Sequence, residues 1–357
     1  MNQDSRARLR LIYAGGTIGA AGRPLAPLPG NAFRERWDRA VPPCLPAVAD
    51  VDWTCLAPAI DSTDATPADW GRLARAVVEA AAEGASAAVV LQGTDTLANA
   101  AAALAFLTTA VEGARPESAR PVARLAMPVV LTGAQRPLFD GDAVAKGTDA
   151  LDNLALACEA AREGPGVRVA FGGRVMPGAR VVKASSRADA AFESPPPAIE
   201  APALPAADPA GLGAELDRLA PRLGARAVLV ATMAPEAPEH QAAMLAGALD
   251  RLGTTAGAVL LLGYGLGNVP ARERLASVIE NAQRGGVAVF VGTQALAGGA
   301  APDLYAAGAW LAEAGARSIG AMTPVAAHAK LHIALAHGLD ADGIARFMAA
   351  PMAGEDG

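Results

Sequence analysis

Threonines set on glycine turns are the residues of this chain whose types and spacing promise chemistry. The first turn, Tyr13-Ala14-Gly15-Gly16-Thr17-Ile18-Gly19, directly follows the apolar run Leu9 to Tyr13. Adjacent glycines let the main chain come close to a ligand, which leaves the Thr17 hydroxyl aimed into a crevice and nearby N–H groups open to an oxyanion. The second turn, Gln92-Gly93-Thr94-Asp95-Thr96, lies between the apolar run AAVVL and the helix-forming run LANAAAALAFL. A hydroxyl beside a carboxylate at such a mouth orients a water or relays a proton, and the carboxylate also holds a substrate ammonium group. Taken singly, each turn reads more readily as an ordinary strand-to-helix connection, with Asp95 capping the helix that follows.

Other chemistries find less support. Gly15, Gly16 and Gly19 fail the G-x-G-x-x-G spacing of dinucleotide binding, and Gly263 to Gly267 lacks the lysine of a phosphate loop. No G-x-S-x-G elbow occurs. His328-Ala329-Lys330-Leu331-His332 mimics the zinc pattern H-E-x-x-H without its glutamate and reads as helix surface. Cys44, Cys55 and Cys158 are odd in number and form no C-x-x-C pair, so reduced thiols in a cytoplasm are expected, with neither disulfides nor metal. A net charge of -6 without a basic cluster argues against nucleic acid. Mean hydropathy is positive because of alanine, and no apolar run approaches the roughly 20 residues of a membrane span. The polar, basic stretch Met1 to Arg10 has no apolar core or cleavage site behind it, so export is not expected.

The elements that must position these turns follow from the alternation of short apolar runs with longer alanine-rich segments, the pattern of a parallel sheet covered by helices. Expected strands are Leu9 to Tyr13, Asp52 to Leu56, Ala87 to Leu91, Val129 to Leu131 and Val167 to Phe171, then Ala227 to Ala231, Ala258 to Leu262 and Ala288 to Val291. Thr66-Pro67-Ala68-Asp69 combines a capping hydroxyl, a first-turn proline and an acid at the positive dipole end, so a helix starts there and runs to about Glu83. Helices are also expected near Gln241 to Leu252 and Arg272 to Arg284, and Thr109 to Met127 reads as an inserted loop. At 357 residues the chain exceeds one hydrophobic core. The proline- and alanine-rich stretch Ser194 to Gly213 marks a linker, giving domains at 1–200 and 221–357 joined through 201–220. The class is α/β.

Together the two turns resemble the L-asparaginase (glutaminase–asparaginase) family, whose signatures read T-G-G-T-I near the N-terminus and H-G-T-D-T further along. Asp61-Ser62-Thr63 looks like the family's substrate-binding D-S-S segment, and Val130 to Pro137 looks like its third strand-end motif. Lys183 matches the catalytic lysine, Gly263 to Asn268 the G-x-G-N turn, and Tyr305 to Gly308 with Met322-Thr323 the C-terminal pattern. The resemblance implies a doubly wound, flavodoxin-like N-terminal catalytic domain with a smaller α/β C-terminal domain. It makes Thr17 the nucleophile and sets Thr94, Asp95 and Lys183 beside it as a polar relay. Ser62 and Thr63 would bind substrate, Ser62 at the α-carboxylate and Asp95 at the α-ammonium, while Gly16 and Gly93 line it. Burial beside polar groups would leave Lys183 neutral or proton-sharing. The implied reaction is hydrolysis of L-asparagine to L-aspartate and ammonia through an acyl-enzyme, with no cofactor or metal, in a cytoplasmic, type I-like homodimer or homotetramer.

Departures from the family pattern keep other readings open. Leu25 occupies the position of the loop tyrosine that hydrogen-bonds the nucleophile, Ala14 and Gln92 replace a threonine and a histidine, and Thr63 replaces a serine or glutamine. Ala295, after Thr293-Gln294, stands where an effector-binding member carries cysteine, so no allostery is expected. An amidohydrolase acting on L-glutamine or another small amide, and a catalytically weakened binding protein, are the alternatives.

Overall fold

Apolar runs of strand length, punctuated by turn residues, form a parallel sheet in each of two compact units. The computed structural model describes residues 8–45, 48, 51–112, 120–270 and 272–356. The first unit comprises Met1–Ala110, Ala123–Ser194 and Leu204–Asp217, and the second Val111–Val122, Pro195–Ala203 and Arg218–Gly357.

In the first unit the strands are β1 (Leu9–Gly15), β2 (Asp52–Ile60), β3 (Ala87–Leu91), β4 (Pro128–Thr132), β5 (Gly166–Phe171) and β6 (Arg174–Pro177). They lie in the order β6-β5-β4-β3-β1-β2, all parallel except β6, which returns antiparallel along β5. Helices α1 (Gly30–Ala40), α2 (Pro67–Ala82), α3 (Leu97–Leu107) and α4 (Ala150–Ala160) cover it. Alternate side chains of a strand point to opposite faces. Leu11, Tyr13, Val89, Leu91 and Val130 join one core with Phe33 and Trp37 of α1 and Leu154 and Ala157 of α4. Ile12, Val90 and Leu131, equally buried, face the other side, where α2 and α3 pack. Burial on both faces explains why these strands read as continuous apolar runs. The helix expected at Thr66 starts there: the Thr66 N–H donates to the Asp69 carboxylate at 2.9 Å, with Pro67 in the first turn.

The second unit holds a four-stranded parallel sheet, β9 (Ala227–Thr232), β10 (Ala256–Gly263), β11 (Ala288–Thr293) and β12 (Arg317–Ser318), in that order. Between these numbers, β7 (Val182–Lys183) and β8 (Phe192–Glu193) form a short ladder in the first unit. Helices α6 (Pro238–Leu252), α7 (Arg272–Arg284) and α8 (Ala306–Glu313) build one core against the sheet, and α9 (Pro324–Ala336) and α10 (Ala341–Ala349) contact its strands as well.

Three local expectations are revised. The stretch read as an inserted loop, Thr109 to Met127, itself contains two paired strands, Thr109–Glu112 and Arg120–Arg124, with 113–119 outside the described residues, as is the N-terminal stretch 1–7. The proline-rich stretch gives way at Pro209 to helix α5 (Pro209–Leu219). His328-Ala329-Lys330-Leu331-His332 is no helix surface: Lys330 and His332 are buried. Alanines on every side of α9 leave no polar face to turn outward.

Candidate active site

The order β2-β1-β3 sets the carboxyl ends of three strands side by side, with β1 at the centre, and open parallel sheets bind ligands at such a reversal of strand order. Each end carries one of the turns singled out in the sequence. The register of β1 against β2 shifts between Tyr13 and Gly15, so Gly15 pairs with Ile60 immediately before Asp61 and Ser62. The glycines serve contacts between loops as well as access. A Cβ at Gly16 would stand 2.1 Å from the Gly93 main chain, and one at Gly93 would stand 2.4 Å from the Ser62 Oγ. Without side chains at 16 and 93, the loops after β1 and β3 touch and the Ser62 hydroxyl stands against the second of them.

A continuous polar chain runs across this junction. Ser62 is buried, its Oγ accepting from the Asp95 N–H at 3.3 Å, and its carbonyl accepts from the Thr96 hydroxyl at 2.8 Å. The Thr63 hydroxyl donates to Asp95 Oδ2 at 3.4 Å. Lys183 Nζ donates to Asp95 Oδ1 at 2.7 Å and to the Oγ1 of buried Thr94 at 3.0 Å. The hydrogen bond from Lys183 holds the Asp95 carboxyl below its ordinary range, against the opposing effect of partial burial. Lys183 Nζ and the Asp95 carboxylate stand within ion-pair distance on the solvent side of the junction. With Oδ1 engaged by Lys183, the exposed Asp95 side chain has its second oxygen, beside the Thr63 hydroxyl, to accept from a cationic substrate group.

Lys183 reaches the junction on a hairpin fastened at its tip. β7 and β8 pair with Lys183 opposite Phe192, whose ring meets Phe171 of β5 edge-on at 4.9 Å. Ser185 Oγ accepts from the N–H groups of Arg187 and Ala188, which closes the tip. The loop after β4 then grips it: Gln135 Nε2 donates to the Ala188 carbonyl at 3.1 Å, and Arg136 Nη1 to Asp189 at 2.8 Å. That loop is itself held by buried Asp149, which accepts from the N–H groups of Gln135 at 2.8 Å and Arg136 at 3.0 Å. Asn153 bridges the Gly133 carbonyl and the Gly172 N–H. Of these supports the sequence reading isolated only the strand-end motif. The acid and amide one turn apart, Asp149 and Asn153, were the available signal for the rest.

Thr17 opens a short helical turn, Thr17–Gly19, and is half-buried. The Ile18 carbonyl accepts from the Leu138 N–H at 3.0 Å, tying the turn to the segment beyond β4. Among the described residues no side chain hydrogen-bonds the Thr17 hydroxyl. Leu25, in the hairpin of Ala20–Ala21 and Ala26–Pro27, is exposed. Tyr13 lies within the core and donates its hydroxyl to the Leu28 carbonyl at 2.9 Å. Burial raises its pKa well above the ordinary phenol value, so it is a donor and no base at neutral pH. Gln92 is buried at the end of β3, where its N–H donates to the Thr132 carbonyl.

The family model described as "Asparaginase, N-terminal" matches residues 8–202, and the "Glutaminase/Asparaginase C-terminal domain" matches residues 226–348. The L-asparaginase of Thermococcus kodakarensis is 32% identical over 83% of this chain and 83% of its own. L-asparaginase 1 of Escherichia coli strain K12 is 29% identical over 97% of this chain and 96% of its own. The solved structure of L-asparaginase I from Vibrio cholerae O1 biovar eltor superposes with a TM-score of 0.75 at 29% identity, covering 99% of this chain and 100% of that one.

Proposed function

The chain belongs to the asparaginase family of amidohydrolases, and from that premise we propose that it hydrolyses L-asparagine to L-aspartate and ammonia with Thr17 as nucleophile. The observation that carries this reading is the chain Thr94–Lys183–Asp95, joined through Gly93 and Gly16 to the Thr17 turn. The α-ammonium of the substrate binds Asp95 Oδ2, the oxygen not taken by Lys183. Its α-carboxylate accepts from the Ser62 hydroxyl, whose oxygen is already oriented by the Asp95 N–H. The Thr63 hydroxyl steadies the Asp95 carboxylate.

Thr17 Oγ attacks the side-chain amide carbon, ammonia leaves, and water hydrolyses the resulting ester. Covalent catalysis thereby divides one hard displacement into two easier ones. The proton acceptor is the relay: Thr17 gives its proton to Thr94 as Thr94 passes one to Lys183 and Lys183 passes one to the carboxylate of Asp95, and the same relay run in reverse protonates the amide nitrogen so that it leaves as ammonia. The exposed Leu25 and the engaged hydroxyl of Tyr13 favour this route over a phenolic base. The protein works as a cytoplasmic homodimer or homotetramer. In support, Cys44, Cys55 and Cys158 are free thiols, no described helix is long and apolar enough to cross a membrane, and Val230 and Met244 of the second unit are exposed apolar side chains. A concentration-independent monomer with full activity in sedimentation would refute the assembly.

Ammonia release from L-asparagine and L-glutamine, with Thr17→Ala as the blank, tests the reaction. Turnover is expected to fall at least about 10³-fold in the variant, as when other nucleophiles are removed, with the fold retained. Residual ammonia release close to that of the wild type would overturn the threonine mechanism. Turnover of glutamine alone would move the substrate assignment and keep the mechanism.

A further inference from the structure

Tyr13 is deeply buried, yet its hydroxyl lies beside the nucleophile turn rather than in the body of the core. After Thr17–Gly19 the chain makes the hairpin Ala20–Ala21/Ala26–Pro27 and returns at Leu28, just before α1. Both ends of that excursion rest on Tyr13. Its hydroxyl donates to the Leu28 carbonyl at 2.9 Å, and the Leu28 N–H donates to the Gly19 carbonyl at 2.9 Å. At Gly19 a Cβ would stand 2.3 Å from the Tyr13 hydroxyl oxygen and 2.6 Å from its ring. The third glycine of the first turn is therefore explained by the tyrosine six residues earlier and not by a ligand.

The ring is fixed from behind. It stacks on Phe33 of α1 with centroids 4.0 Å apart and planes 6° from parallel, and Phe33 in turn meets Trp37, Trp53 and Phe139. Tyr13 is thus a rigid post between β1 and the base of the hairpin. Its raised pKa keeps the phenol protonated across the neutral range, so the donated bond persists.

We propose that Tyr13 is a positioning residue for Thr17: its hydroxyl and ring pin both ends of the 19–28 excursion to β1 and so fix where the Thr17 hydroxyl stands against Thr94 and Lys183. This rests on the reading of Thr17 as the nucleophile. A misplacement of about 1 Å at a reacting atom costs up to about 10²-fold in rate. Tyr13 touches no reacting group, and its effect passes through the turn.

The test is Tyr13→Phe, which keeps the stack and the packing on Gly19 and removes only the donated bond. In ammonia-release kinetics on whichever amide the wild type turns over, kcat is expected to fall about 10- to 100-fold with KM within about twofold. In hydrogen–deuterium exchange, the Leu28 amide is expected to exchange faster than in the wild type while the β3 amides stay protected. Gly19→Ala, which presses on the ring from the other side, is expected to reproduce the loss of kcat. An active wild type, an inactive Thr17→Ala and a Tyr13→Phe variant with unchanged kcat would overturn this proposal alone. Equal turnover by wild type and Thr17→Ala would instead overturn the nucleophile assignment. Unchanged exchange at Leu28 in Tyr13→Phe would overturn the pinning even if the wild type proved silent on both amides.

Discussion

Lys183–Asp95 in the first unit and Lys330–Glu355 in the second join the same two functional groups under opposite solvation. The lysine and aspartate side chains of the first pair are 21% and 59% exposed, whereas both side chains of the second are 0% exposed. The buried pair is fully engaged by protein groups. Lys330 Nζ donates to the carbonyls of Met348 at 3.0 Å and Ala350 at 2.6 Å as well as to Glu355. Glu355 accepts from the N–H groups of Met352 and Ala353. Burial pulls the Lys330 pKa down and the Glu355 charge opposes that pull. Such a pair meets neither substrate nor bulk proton donors, and what it does is hold the C-terminal segment on α9. The half-exposed pair contributes little to the fold but can bind a charged substrate and pass protons. Exposure, more than residue type, separates a lysine for chemistry from a lysine for anchoring.

The sharpest way to break this contrast is to cut each lysine back to an apolar chain. Lys183→Met is expected to lower turnover by about 10²–10⁴-fold, the range for loss of a positioned proton carrier. Its unfolding free energy should stay within about 1 kcal/mol, as for other exposed pairs. Ammonia-release kinetics beside urea denaturation reads both, and a variant that unfolds readily would show that the first pair is structural after all.

Lys330→Met leaves the Glu355 carboxylate buried and uncompensated, so a loss of about 3–5 kcal/mol in urea denaturation is expected. The double variant Lys330→Met/Glu355→Leu should recover much of it, because an apolar pair needs no desolvation. A single variant as stable as the wild type would dissolve the distinction between the two pairs.

The smallest effect is in pH. Burial holds His332 down at about 3 and His337 at about 4, against an ordinary histidine value of 6.5, so both are neutral in the folded state. As pH falls below 6.5 the unfolded chain takes up protons that the folded chain refuses, and stability declines progressively toward pH 4. His332→Leu and His337→Leu should each flatten that decline by on the order of 1–2 kcal/mol. The Asp95 carboxyl behaves differently. Its pKa lies below the ordinary 3.8, so its contribution is complete above that value and is lost only as pH falls through the lower folded value. Asp95→Asn should therefore leave the slope between pH 6.5 and 4 unchanged in thermal unfolding, and a flattened slope in that variant would assign the decline to the wrong region.

Much of the fold was legible because its signals are local. Strand Ala87–Leu91 and helix Arg272–Arg284 fall on the residues expected, and other strands extend by one to four residues, mostly into the glycines, threonines and prolines that border them. Thr66, Pro67 and Asp69 interact within one turn, so their meaning needed no partner elsewhere. The candidate site was legible by type: hydroxyls and a carboxylate on glycine turns at strand ends. Its support was not. Lys183 meets Thr94 and Asp95 across 89 and 88 residues, and Asp149 holds a loop 13 or 14 residues earlier.

Lys330 was misread because a charged residue is rarely buried without a partner, and its partner lies 25 residues further on. The alanines around it were the overlooked sign of a helix buried on all sides. By itself, then, the sequence determined most of the strands of both sheets and the helices that begin near Pro67, Pro238 and Arg272, that glycine and threonine close the strands β1 and β3, and that the charge and composition suit a small-molecule enzyme. Tertiary structure alone decided which carboxylate each lysine meets, which pair sees water, and that Gly16 and Gly93 touch while Gly19 rests on a tyrosine. Solvation and pairing are set by groups that only folding brings together, and those two quantities fix what a charged side chain can do.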